Sequence, residues 1–152
     1  MKTTFRILFT TAILMSFAAS SFSQEANWMT NYAKAVEQAK AQNKPILLDF
    51  TGSDWCGWCI KMKKESLDTT AFKQYADKNL ILVEVDFPQN KPQADAVKSQ
   101  NQQLQQKYKI DGYPCFVLVD KDGKKLGMQD GYLEGGPDAF IAMLKSFNKS
   151  TQ

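Results

Sequence analysis

Trp55-Cys56-Gly57-Trp58-Cys59 places two cysteines two residues apart between two segments of opposite character. Before it runs Pro45-Ile46-Leu47-Leu48-Asp49-Phe50, a short apolar stretch of strand type. After it runs Ile60-Lys61-Met62-Lys63-Lys64-Glu65-Ser66-Leu67, which reads as helix. The pair therefore stands where a strand turns into a helix. Sulfur at a helix N-terminus faces unpaired backbone N–H groups and the positive end of the macrodipole. Both favour thiolate, the nucleophile of disulfide exchange. Two-residue spacing lets the second sulfur reach the first with little backbone movement.

A lone Cys-x-x-Cys has blander readings. Half of a zinc site needs about two further N or S ligands. The chain has no histidine and one further cysteine, Cys115, so that set cannot be completed and no metal is expected. A purely structural bridge remains as the other alternative to redox chemistry.

Working outward, Asp49-Phe50, the Cys56/Cys59 motif, and Gly112-Tyr113-Pro114 ahead of Phe116-Val117-Leu118-Val119-Asp120 together resemble the thioredoxin superfamily. The likeness covers nearly all of the chain after its first residues. It is greatest to secreted bacterial thioredoxin-like proteins and to the soluble domain of the membrane thiol:disulfide interchange protein. It implies an α/β fold: a central mixed sheet of about four strands, helices on both faces, and an extra N-terminal helix in place of the first strand. It implies that Cys56 attacks a client disulfide and Cys59 resolves the mixed disulfide, with no cofactor. Asp49 matches a buried aspartate that accepts the proton of the second cysteine. The spacing from Asp49 to Cys56 is one residue longer than in thioredoxin itself, so a loop or bulge is expected within Thr51-Gly52-Ser53-Asp54.

The resemblance further implies a cis Tyr113–Pro114 bond that leaves the Tyr113 main chain open to a bound polypeptide. Trp55, Gly57 and Trp58 would shape the contact surface with Tyr113 and Pro114. Glu84 interrupts the apolar run Leu80–Phe87, and a lone charge on a strand covered on both faces needs a partner or a neutral state. Two readings of Glu84 stand: a second carboxylate working with Asp49, or a solvent-facing strand end. Cys115 stands where relatives more often carry threonine. It is either a buried thiol packing as a small apolar group or a third redox sulfur.

Residues 1–23 read as a signal peptide: Lys2 and Arg6, a mostly apolar Ile7–Ala19, and small Ser21 and Ser23 before the cut. The apolar core is short for a membrane span. Its removal takes two positive charges and no negative ones, so the net charge falls from +3 to +1. That balance lacks the basic footprint of a nucleic-acid binder. Residues 24–152 suit one thioredoxin-like domain, expected to be monomeric and periplasmic or secreted, where disulfides persist. Exported disulfide-containing proteins would be the clients and a membrane thiol-reductant the donor.

Further elements follow from periodicity. Glu25–Asn43 reads as one amphipathic helix bearing Trp28, Tyr32, Ala35, Val36 and Ala39. Asp68 is the expected cap of a helix over Thr69–Lys78. A solvated helix spans Ala94–Tyr108. Lys121-Asp122-Gly123 turns a hairpin between Phe116–Asp120 and Lys124–Gln129, and Pro137 starts the last helix. Two other function classes compete. One is a thioredoxin-fold binding module that holds a client or metal ion without turnover. The other, a thiol peroxidase, is disfavoured because no arginine follows Arg6.

Overall fold

The computed structural model describes residues 26–149. The expected leader, 1–23, lies outside the described residues. Five strands form one mixed sheet: β1 (Trp28–Met29), β2 (Ile46–Thr51), β3 (Ile81–Asp86), β4 (Cys115–Val119) and β5 (Lys125–Asp130). Their spatial order is β1-β3-β2-β4-β5. β3 runs parallel to both β1 and β2, while β4 is antiparallel to β2 and β5 to β4. The helices are α1 (Tyr32–Gln42), α2 (Gly57–Met62), α3 (Thr70–Asn79), α4 (Asp95–Tyr108) and α5 (Gly136–Lys149). A π-helical turn at Lys63–Leu67 extends α2. Among the described residues no helix is long and apolar enough to cross a membrane.

The strands divide their side chains between two cores, as their two-residue period requires. Ile46, Leu48 and Phe50 pack with Val83, Val85 and Val117 against Ala35, Ala39, Leu104 and Tyr108 of α1 and α4. Leu47, Leu82, Phe116 and Leu118 pack on the opposite face against Met62, Leu67, Phe72, Phe140 and Leu144. The second face therefore carries the helix that follows the cysteines. Each fully buried Phe or Leu there contributes roughly 1.5–3 kcal/mol, and an interdigitated core fixes α2 on the sheet.

The sheet has one strand more than the four expected, and the fifth comes out of the anticipated N-terminal helix. Trp28 and Met29 form β1, paired to Leu82 and Val83, and the helix starts only at Tyr32. The reason is that Trp28 packs into the α3 face, stacked on Phe72 with 6.5 Å between ring centroids. Ala35 and Ala39 pack on the other face. One continuous helix cannot deliver both, so the chain crosses the sheet edge and re-caps: the Asn31 side chain accepts the Lys34 N–H at 3.0 Å. Asn43 then ends the helix in a left-handed conformation. A smaller correction concerns α3, whose cap is Thr69 rather than Asp68. Its hydroxyl accepts the Phe72 N–H and donates to the Ser66 carbonyl.

Candidate functional site

Cys56 is the N-cap of α2, extended at φ −82° and ψ 102°, and its sulfur accepts the Cys59 N–H at 3.2 Å. The two cysteines are joined as a disulfide with 5.2 Å between their Cα atoms. Both sulfurs are well covered: Cys56 is 7% exposed and Cys59 4%. Exposure hardly separates them, but position does. Cys56 Sγ holds the cap, whereas Cys59 sits a turn inside the helix. On reduction the Cys59 N–H and the helix N-terminus face the Cys56 sulfur and stabilise a thiolate there.

The longer segment before the motif is a braced turn. The Trp55 and Cys56 N–H groups both donate to the Gly52 carbonyl, at 3.2 and 2.8 Å. The Ser53 N–H and hydroxyl donate to the Asp86 carboxylate. The Asp54 carboxylate accepts the N–H groups of Gln89 and Asn90, at 3.0 and 2.7 Å. The Gln89 bond in particular holds Asp54 below the usual carboxylate range. Trp55 Nε1 donates to the Phe87 carbonyl at 2.8 Å, and its ring meets Tyr113 edge-on at 5.9 Å. The added residue thus clasps the cysteine loop to the segment after β3. Gly52 is required for this: a Cβ there would lie 2.4 Å from Trp55 Cε2. Gly52→Ala is expected to displace the indole, break its bond to Phe87 and lower stability by about 1–3 kcal/mol. Gly57→Ala, whose Cβ meets nothing within 4 Å, is the matched control. Urea midpoints of the two variants measure the difference, and equal midpoints would refute the clasp.

Asp49 lies mid-strand on the α2 face, 7% exposed, and its Oδ1 has no hydrogen-bond partner among the described residues. Register places it directly beside Glu84 on β3 and Phe116 on β4. Burial first and the Glu84 carboxylate second, with Lys63 opposing, push its carboxyl up to about 8. Glu84 is half-buried, and the parallel register sets it next to Asp49.

The Tyr113–Pro114 bond is cis. The Pro114 carbonyl accepts the Gly131 N–H at 2.8 Å, and Tyr113 is held by its phenol, which accepts from Gln105 Nε2 at 2.8 Å. Its ring also meets that of Phe87 at a tilt, with centroids 5.2 Å apart. Cys115, by contrast, is not brought to the pair. Its side chain shares the Phe50 face and is fully buried, with the sheet between it and α2. Its thiol donates to Asp130 Oδ1 at 3.1 Å, and burial together with that bond pushes its ionisation up strongly. That is the environment of a packing thiol. Among the described residues no group of three His, Cys, Asp or Glu is placed to hold a metal ion.

The structure adds residues that the sequence reading left in a loop or along the helix after the cysteines. Tyr132 packs at a tilt against Trp58 with centroids 5.3 Å apart and donates its hydroxyl to the Glu65 carboxylate. Lys61 Nζ lies 4.6 Å from the Tyr132 ring centroid and 5.2 Å from that of Trp58. No local pattern announces this meeting, because Tyr132 reaches α2 only through the packing of the segment after β5.

Comparison with known proteins agrees with this architecture. Residues 32–148 match the family model described as a thioredoxin-like domain. A Chlamydia pneumoniae protein, disulfide bond reductase DsbH, is 45% identical over 116 residues, covering 76% of this chain and 69% of its own. A solved structure of a DsbH oxidoreductase superposes with a TM-score of 0.80 at 39% identity, over 91% of this chain and 95% of that one. The reduced C-terminal domain of Neisseria meningitidis DsbD superposes at 0.59 with 26% identity, over 76% and 91%.

Proposed function

The chain belongs to the thioredoxin-like domain family as a thiol–disulfide oxidoreductase, and from that premise we propose that it is exported and reduces or isomerises disulfides of exported proteins. The observation that carries this reading is the Cys56–Cys59 pair at the start of α2, with Asp49 and Glu84 side by side on the sheet face that α2 covers. In the proposed cycle Cys56 thiolate attacks a client disulfide and one client sulfur leaves as thiolate. Cys59 then attacks the mixed disulfide at Cys56 and releases the second client thiol. Two electrons pass to the client and the Cys56–Cys59 disulfide is restored. Asp49, with Glu84 beside it, takes the proton that Cys59 must lose before it can attack. Trp55, Gly57 and Trp58 flank the sulfur, and the Tyr113 main chain next to Pro114 pairs with the client. A membrane protein with a DsbD-like soluble domain is the proposed source of electrons, and the periplasm the proposed site of action.

Direction follows from what stabilises the reduced form. Between the cysteines stand Gly57 and Trp58, and the chain has no histidine. The helix start and the Cys59 N–H favour the thiolate, and nearby carboxylates disfavour more negative charge. The thiolate is therefore moderately stabilised, and the couple is expected below about −200 mV, on the thioredoxin side. Equilibration with a glutathione or dithiol buffer measures it. A value near about −120 mV, that of strong periplasmic oxidants, would reverse the assigned direction.

A further inference from the structure

Beside the disulfide a hollow of about 330 Å³ is lined by Trp58, Tyr113, Pro114, Gly131 and Tyr132. No lining residue is charged. Trp58 is 58% exposed, and with Trp55 at 41% and Ile60 at 50% it forms an uncovered apolar rim around the cysteines, a feature of surfaces that meet a partner. The hollow is continuous with the redox site, because Trp58 lies between the two cysteines and Pro114 follows the Tyr113 main chain. One wall is supplied from afar. Tyr132 belongs to the segment between Gly131 and Gly135, both at positive φ. It keeps its place through its bond to Glu65 and its contact with Trp58. The Lys61 ammonium lies close to both rings and so engages their π faces.

We propose that Tyr132, held by Glu65 against Trp58, is a specificity-determining residue: it closes an uncharged pocket that takes a large apolar side chain adjoining the client's half-cystine in preference to a small or a charged one. The inference rests on the reductase reading above. An extended client lying along Tyr113 delivers its neighbouring side chain into the hollow. A Phe or Leu there loses apolar surface to three aromatic rings. A Lys or Arg must shed the water around its charge to enter a hollow with no charged lining.

The test uses the pre-reduced protein in single turnovers with three synthetic peptides. Each carries one internal disulfide and differs only in the residue before the first cysteine: Phe, Ala or Arg. The protein's dithiol is oxidised as the peptide disulfide is reduced, so no further reductant enters. Wild type should reduce the Phe peptide about tenfold faster than the Ala peptide, and the Arg peptide slowest. Tyr132→Ala should bring Phe and Ala within twofold. Tyr132→Phe, which loses only the bond to Glu65, should lower the preference part of the way. Equal wild-type rates, or a Tyr132→Ala variant that slows all three peptides in proportion, would overturn the pocket and leave the reductase reading standing. Failure of wild type to reduce any of the three would bring down the reductase reading and the pocket with it.

Discussion

Cys56→Ser is expected to reduce disulfide exchange by at least about a thousandfold, whereas Cys59→Ser should keep the first step and stop at the second. The asymmetry comes from the helix start. Cys56 is the N-cap and its sulfur already accepts the Cys59 N–H at 3.2 Å, so a thiolate there has a donor waiting. Serine at position 56 offers the same cap geometry without a competent nucleophile, and the fold should survive. Serine at position 59 leaves attack intact and removes the resolving sulfur, so a covalent adduct with the client accumulates. Mass spectrometry of the two variants, mixed with a disulfide-containing protein, reads both outcomes. An adduct with Cys56→Ser and none with Cys59→Ser would exchange the two roles. Equal turnover by wild type and Cys56→Ser would point instead to a binding module without catalysis.

The second large effect concerns Asp49 and pH. In the folded protein its carboxyl is pushed up to about 8 from an ordinary value of 3.8. Between those pH values the folded chain holds a proton that the unfolded chain has released. Fewer protons on the unfolded state means that stability falls as pH rises through this window. It should be flat below about pH 4 and again above about pH 8. The total is on the order of 5 kcal/mol, because Asp49 is buried beside the Glu84 carboxylate and Lys63 offsets only part of the cost of its charge. Asp49→Asn keeps the shape and cannot ionise, so it should show no such decline. Urea unfolding of the oxidised forms at pH 5, 7 and 9 tests this: the variant should gain on wild type as pH rises and exceed it at pH 9. Parallel curves would mean that Asp49 does not carry the linkage. The same variant should release a mixed disulfide about a hundredfold more slowly, with an altered pH profile. A residual rate that disappears only on adding Glu84→Gln would show the two carboxylates sharing the proton.

Much of this site is legible along the chain because its signals are local. Two cysteines at the end of an apolar strand, followed by helix, need no distant information to be recognised. The alternation of Ile46–Thr51 assigns Asp49 to the face opposite Phe50 by the two-residue period alone, and the structure keeps that assignment. The Asp122-Gly123 turn is equally local: the Asp120 carboxylate accepts the N–H groups of Asp122 and Lys124, and Gly123 takes a positive φ of 81°.

What failed to show was whatever depends on two faces or two distant segments. Trp28 fits the helical spacing of Tyr32, Ala35 and Ala39, yet it belongs to a strand because its half-buried ring packs on the far side of the sheet, against Phe72. Periodicity reports that a residue is apolar, not which layer receives it. Cys115 is next to Pro114 in sequence but points away from the cysteine pair, since the alternation of β4 turns it toward Phe50.

The sequence by itself determined the fold class, the redox pair and the strand face of Asp49. The last two rest on spacing within a few residues, where backbone geometry leaves few choices, and the fold class on a family resemblance that joins motifs far apart in the chain. Tertiary structure alone decided the rest. It set Glu84 beside Asp49 through the parallel register of β2 and β3. It clasped the Gly52–Trp55 turn to the segment after β3. It brought Tyr132 to Trp58. Such contacts arise when two cores pack on opposite faces of one sheet, and no periodicity along the chain encodes which distant side chains then meet.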